Sequence, residues 1–339
     1  MDSGVLSGFV AGPPDSRDIP NGGPQVRALE EEWCQRYGVK HALSFNSATT
    51  ALMAACKAVD VKPGDRVICP PWTMSATPAA AVYCGATIDF ADVEEETYCI
   101  DPEQVVRCVE KGPETFKTKA VMAVNLFGHP AKLAELYDIC DHFGMYLIED
   151  CAQTPWATEY GNRSGTVGDI GIYSLNRHKH IHCGEGGIAV TDDDELASRL
   201  RSVRNHGVDP VGLNLRMTEL EAAIALVQLK KIDHHVDKRR DFGWRLTEAL
   251  QGVVETPTVR QGCTHDFYMW VAKMNAEKLN VPHIKGYIQP LHDIFLGGQR
   301  DCPVVERLRN EIICFETCKY DPTDEQFEQI VEAFHEAVR

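Results

Sequence analysis

Several features are scarce in this sequence, and each absence excludes something. No stretch approaches the roughly 20 consecutive apolar residues that a membrane-spanning helix needs. Basic residues are few: 34 Lys and Arg stand against 50 Asp and Glu, a formal net charge of −16. Neutralising a phosphate backbone takes surplus Lys and Arg, so general nucleic-acid binding is excluded, although a few backbone N–H groups suffice for a small anion. The opening residues, MDSGVLSGFVAGPPDS, have no basic region and too short an apolar run for a secretory signal. Regular cysteine spacing is also missing. The 13 cysteines are odd in number and scattered, and many, such as Cys56, Cys69 and Cys140, sit in apolar surroundings. They are expected as reduced thiols of a cytoplasmic protein, not as a disulfide frame. Cys314 and Cys318 form an isolated C-x3-C with no second ligand pair of zinc spacing, so no metal is expected there. Internal repeats and low-complexity tracts are absent.

What is present is a pattern of alternation. At 339 residues the chain has room for about two domains. Residues 1–23, rich in Gly, Pro and Asp, read as an irregular arm. Pro24 opens a helix with Val26, Leu29, Trp33 and Tyr37 on one face and Gly38 at its end. Strands are expected at His41–Phe45, Arg66–Cys69, Ala86–Phe90, Lys119–Asn125 and Met145–Glu149. Helices are expected over Ala48–Ala58 and from Pro130, the latter with Leu133, Leu136, Tyr137 and Cys140 inward. Strands alternating with helices imply crossover connections, hence an α/β fold with a mainly parallel sheet flanked by helices. One long helix is predicted over 217–239. Its Leu220–Leu229 stretch is apolar nearly all round and should be buried on more than one side. The texture changes near residue 240, which divides a large domain, 1–240, from a smaller α/β domain, 241–339. There Phe267–Met274 reads as a strand. The last helix starts at a capping box, Thr323 with Gln326, and should bury Phe327, Ile330, Val331, Phe334 and Val338.

In such sheets ligands bind beyond the carboxyl ends of the strands, and three polar segments stand there. Asn46-Ser47-Ala48-Thr49-Thr50 runs from a strand straight into a helix, where unpaired N–H groups and hydroxyls suit a phosphate; a simple capping role for Ser47 or Thr49 is the alternative. Glu149-Asp150-Cys151-Ala152-Gln153 closes another strand with an acid that could pair with a ligand cation or merely cap. The third segment runs from Gly168 to Gly187 and holds Ser174, Lys179 and three alternating histidines. On a strand His178, His180 and His182 would share one face, as metal ligands do. No nearby carboxylate or thiolate closes such a site, however, and Lys179 would repel a cation, so no metal is expected.

A phosphate cradle, an acid 29 residues before a lysine, a serine five residues before it and a Gly-rich stop just after it resemble one family. It is the DegT/StrS-type aminotransferases, the sugar-nucleotide branch of the fold-type I pyridoxal-phosphate enzymes. Gly23–Glu30, Val39–Ala42, Asn46–Thr49, Pro63–Ile68, Asp101-Pro102, Ile148–Gln153, Gly184–Gly187, Arg204–Gly207 and Asn214–Met217 carry the likeness in order. Beyond residue 240 it thins to His265, Tyr268 and Pro290-Leu291-His292. The resemblance implies an aminotransferase with pyridoxal 5′-phosphate as cofactor. Lys179 would bind the cofactor covalently and then serve as general base and acid. Asp150 would keep the pyridine nitrogen protonated, Gln153 would bond the ring's 3-oxygen, and Trp72 would stack on the ring. Ser47, Ala48, Thr49 and Ser174 would hold the phosphate. Asn214 would reach the phosphate of a neighbouring subunit, which implies a homodimer with shared sites. An amino acid, glutamate by analogy, would donate nitrogen to a keto sugar, nucleotide-linked or a free cyclitol ketone. The chain departs from the family at Ala48, where a glycine is usual, and around the lysine, where His178, His180 and Glu185 are expected to face the acceptor. Two rivals keep the cofactor: a sugar dehydratase, which would carry His at position 179, and a regulator without turnover. A nicotinamide dehydrogenase is disfavoured because no G-x-G-x-x-G follows the first strand.

Overall fold

The computed structural model describes residues 22–112, 117–274, 277, 279–287, 289–293, 295, 301–317 and 322–339. Most of the expected arm, and Cys318, lie outside the described residues. Helix α1 (Pro24–Tyr37) starts on a proline, whose missing N–H costs nothing at a first helical position, and ends at Gly38 with φ 69°. It buries Val26, Leu29, Trp33 and Tyr37, as their spacing requires. There follow β1 (His41–Phe45), α2 (Ala48–Ala58), β2 (Arg66–Cys69), α3 (Ala76–Tyr83), β3 (Thr87–Phe90), α4 (Pro102–Lys111), β4 (Thr118–Val124), α5 (Leu133–Phe143) and β5 (Tyr146–Asp150). A short ribbon, β6 (Thr158–Glu159) and β7 (Asn162–Arg163), precedes β8 (Ile170–Ser174), β9 (Gly187–Thr191) and α6 (Asp194–Arg204).

Seven of these strands form one sheet in the order β1-β9-β8-β5-β4-β2-β3. From β3 across to β8 the pairs are parallel, and β9 is antiparallel to both β8 and β1. The carboxyl ends of β1, β8, β5, β4 and β2 therefore meet one edge, and the polar segments singled out above span or follow the ends of β1, β5 and β8.

Four expectations need correction. The helix predicted over 217–239 is two helices, α7 (Glu219–Leu229) and α8 (Ile232–Ala249), broken at Lys230-Lys231. A second capping box, Thr218 with Glu221, starts α7. The Leu220–Leu229 stretch is covered on one side only: Ala222, Ala225 and Leu229 are buried against α1, whereas Leu220, Ile224 and Val227 are 48%, 50% and 54% exposed. Tyr137 on α5 is likewise 41% exposed, because the buried line is Leu133, Leu136 and Cys140 and Tyr137 lies beside it. Val338 stands beyond the last helical residue and is exposed.

The C-terminal part is a three-stranded antiparallel sheet, β10 (Met269–Lys273), β11 (Ile284–Lys285) and β12 (Ile312–Glu316), with β12 central. Helices α9 (Pro303–Glu311) and α10 (Asp324–Ala337) accompany it. Side chains alternate between its two faces. Met269, Val271, Ile312 and Cys314 join the core of the large sheet. Trp270, Ala272, Ile313 and Phe315 pack with Phe242 and Leu246 of α8 and Phe334 of α10. Residue 240 lies inside α8, whose Ile232 and Val236 instead pack with residues of α1 and α7. The described cysteines are all free thiols. Among the described residues no helix is long and apolar enough to cross a membrane.

Candidate active site

The site is assembled where the strands end. Ser47 takes an extended conformation and caps α2, its hydroxyl accepting from the Thr50 N–H at 3.2 Å. The cap occupies the third donor of the helix and leaves the Ala48 and Thr49 N–H groups as the first donors of that end. Ala48 is the first helical residue and is not among those with positive φ, so the backbone here does not require a glycine. Gly187, at the start of β9, pairs with Phe45 on one side and Ser174 on the other. A Cβ on Gly187 would lie 2.6 Å from the Ala48 nitrogen and the Ser47 carbonyl group. A bare α-carbon is thus what lets the start of α2 close on β9, with Ser47, Ala48 and Ser174 half-buried and Thr49 exposed.

Asp150, the last residue of β5, is buried. Its Oδ2 accepts from the Thr77 hydroxyl at 2.8 Å and its Oδ1 from the Ala152 N–H at 3.1 Å. Burial raises its pKa, against the pull of those two donors and of the Lys179 ammonium.

Lys179 lies on the 12-residue connection between β8 and β9. Bonds from Leu175 N–H to Gly186 O, Arg177 N–H to Gly184 O and Cys183 N–H to Leu175 O close this loop at its base. Asn176 and Glu185 bridge it with a 2.8 Å side-chain bond. Lys179 is half-buried, with its Nζ 4.7 Å from the centre of the Tyr268 ring. Residues 178–182 form no strand, so the three histidines do not share a face: His178 and His182 are exposed and His180 is buried. No group of three metal-binding side chains exists among the described residues.

Gln153 is fixed at both ends. Its carbonyl accepts from the Phe127 N–H at 2.7 Å and its amide donates to the Tyr287 hydroxyl at 2.8 Å. Trp72 is fully buried, edge-on to Tyr98 and Phe127 at 5.9 and 6.1 Å. Asn214 is exposed and bridges Asn205 at some distance in sequence from the other groups. Glu185 and His178 are exposed on the lysine loop, where His178 meets Arg177 at 3.1 Å.

Sequence reasoning missed Thr77 and Tyr287. Thr77 lies in the first turn of α3, a helix that only the alanine-rich run Ala76–Ala81 betrays. Tyr287 comes from the C-terminal part, where no local pattern marks it.

Residues 14–334 match the DegT/DnrJ/EryC1/StrS aminotransferase family. The chain belongs to that family. It is similar to the GDP-perosamine synthase of Caulobacter vibrioides, 34% identical over 271 residues that cover 77% of this chain and 72% of that one. It is also 33% identical to the UDP-N-acetyl-3-dehydro-alpha-D-glucosamine 3-aminotransferase of Acidithiobacillus ferrooxidans, covering 86% and 83%. A DegT DnrJ EryC1 StrS aminotransferase from Brucella abortus has the same fold, with a TM-score of 0.85 at 25% identity over 93% of this chain and 90% of that one. This DegT-family chain is therefore an aminotransferase of fold type I, as its motifs imply.

Proposed function

We propose that the chain moves an amino group from an amino acid, glutamate, to a keto sugar carried on a nucleotide, in two half-reactions that share one site and use pyridoxal 5′-phosphate. The observation that carries this reading is that Asp150 ends β5, Lys179 lies on the loop leaving the adjacent strand β8, and the Ser47–Gly187–Ser174 cradle stands at the same sheet edge. A primary amine, a buried carboxylate and a cluster of hydroxyls and helix N–H groups are the donor set that a phosphorylated pyridine aldehyde requires. When bound, that cofactor supplies an electron sink and a temporary carrier for nitrogen. Ser47, Ala48, Thr49 and Ser174 would hold its phosphate. Asp150, steadied by Thr77 and Ala152, would accept the pyridinium N–H. The Gln153 amide, with two hydrogens and one of them on Tyr287, keeps a second for the ring's 3-oxygen. The Lys179 amine would take the proton from the substrate's Cα and later return one to the acceptor carbon.

Asn214 and the exposed Leu220, Ile224 and Val227 support a homodimer with shared sites, since the last three repeat at helical spacing and form an apolar stripe on α7. A monomer by sedimentation at micromolar concentration would exclude it. The test of the reaction is Lys179→Ala. It should fold with an unchanged circular dichroism spectrum and lose turnover with L-glutamate by on the order of 10²- to 10⁴-fold. Retained turnover would remove the assigned base.

A further inference from the structure

His180 is only 3% exposed, and its Nε2 lies 3.1 Å from the Asp266 carbonyl oxygen. A carbonyl only accepts, so Nε2 bears the hydrogen and Nδ1 of the neutral ring is a bare acceptor. That Nδ1 is sealed from solvent and meets no donor. Burial and the charges of Arg239, Lys179 and Arg240 all act against protonation of the ring.

Asp266 is itself immobilised. Its carboxylate accepts from Arg240 at 2.9 Å and from the Trp156 N–H at 2.6 Å, and its own N–H donates to Gly128 O at 2.8 Å. The same turn continues through Phe267, at φ 45°, to Tyr268, whose ring lies 4.7 Å from the Lys179 Nζ and 5.8 Å from the His180 ring.

We propose that His180 is a positioning residue for Lys179: its Nε2–H bond to Asp266 fastens the lysine loop to the turn that carries Tyr268, and so holds the reacting amine over that ring. The inference rests on Lys179 being the reacting amine. A histidine kept for stability alone would be expected to satisfy both nitrogens, whereas here one acceptor is left unmade. The bond joins the lysine's own neighbour in sequence to the element that faces the amine. A small displacement of a reacting group can cost as much as 100-fold in rate.

The test compares wild type, His180→Gln, which keeps an N–H donor, and His180→Leu, which keeps bulk and loses it. Each is loaded with pyridoxal phosphate and mixed in single turnovers with L-glutamate or its α-deuterated form. His180→Leu should bind the cofactor and lose only a little of its unfolding midpoint, because the unpartnered Nδ1 disappears while the buried Asp266 carbonyl loses its donor. Its single-turnover rate should fall roughly 10- to 100-fold, with a larger isotope effect and half-saturation within about twofold. His180→Gln should recover most of the rate. A wild-type rate and isotope effect in His180→Leu, or an equal loss in both variants, would overturn the proposal. Should His180→Leu not fold, the long-range ¹H–¹⁵N spectrum of wild-type His180 decides: a proton on Nδ1 instead of Nε2 overturns it. A wild type that neither captures the cofactor at Lys179 nor reacts with glutamate removes the underlying reading; a reactive wild type with an indifferent His180→Leu removes only this inference.

Discussion

Glu149 and Asp150 are adjacent on one strand, both buried, both raised in pKa chiefly by burial, and they do different work. Alternation turns them to opposite faces of the sheet. Glu149 accepts from the N–H groups of Gly165, Val167 and Gly168 at 2.6, 2.9 and 2.7 Å, and its capacity goes to holding the turn before β8. Asp150 takes one hydroxyl and one N–H and keeps accepting capacity for a ligand cation. The sequence shows two acids at a strand end; alternation separates them, and their partners assign them. Gly187 carries a similar lesson. Its freedom matters through close approach and not through positive φ. Gly187→Ala should push the start of α2 away from β9, weaken pyridoxal phosphate binding by about tenfold or more and lower stability by ~1–3 kcal/mol. Cofactor titration and urea unfolding of the variant measure the two effects.

Two helices begin by one device. α1 and α9 both start on proline and neither is capped by its own N-cap side chain. In each, a carboxylate distant in sequence caps the next two N–H groups. Glu219 of α7 accepts from Gln25 and Val26 at 2.8 and 3.1 Å, with its carboxylate where a Cβ of Gly23 would stand. Asp92, after β3, accepts from Val304 and Val305 at 2.7 and 3.1 Å. Proline removes one orphan donor and the remote acid satisfies two more, with favourable charge at a helix N-terminus. Asp92→Ala should leave those donors buried and cost about 1–3 kcal/mol, read as a lower urea midpoint with little change in the far-ultraviolet spectrum. A midpoint equal to wild type would show that water replaces the carboxylate. The prolines that open these helices are visible in the sequence, and the acids that complete them are not, since they lie 193 to 213 residues away.

At the scale of the molecule, the two parts share a core and a network of buried polar groups. The β10–β12 sheet has one face in each hydrophobic cluster, and Arg260 reaches back to Pro130 O, Ala131 O and Glu159 at 3.0, 2.8 and 3.0 Å. Its N–H donates to His129 Nε2 at 3.1 Å, while His129 Nδ1 lies 2.7 Å from the Pro130 carbonyl, so the ring is neutral with its proton on Nδ1. Burial and the Arg260 charge push the His129 pKa down to about 4, from an ordinary 6.5. The unfolded chain therefore takes up a proton that the folded chain refuses, and stability is lost as pH falls from about 6.5 toward 4. Asp266, pushed up to about 6 by burial, acts in the opposite sense: its contribution is present below about pH 4 and lost as pH rises through 6. The histidine effect is isolated by difference. His129→Gln should be less stable than wild type at pH 7, and the gap should narrow by about 2 kcal/mol at pH 5. Urea midpoints at the two pH values measure it, and a constant gap would exclude a neutral His129.

The sequence by itself determined the alternation of strands and helices, the strand ends that bear polar residues, and the motifs that mark the family. These follow from local periodicity and from residues that must stand just past a strand. The tertiary structure alone decided which polar groups meet. Thr77 reaches Asp150, Tyr287 reaches Gln153 and Asp266 holds His180 across separations of 73, 134 and 86 residues. It also decided that α7 ends at Lys230-Lys231 and leaves an apolar stripe uncovered. Period and composition act over a few turns of chain, whereas such partnerships depend on how the layers stack.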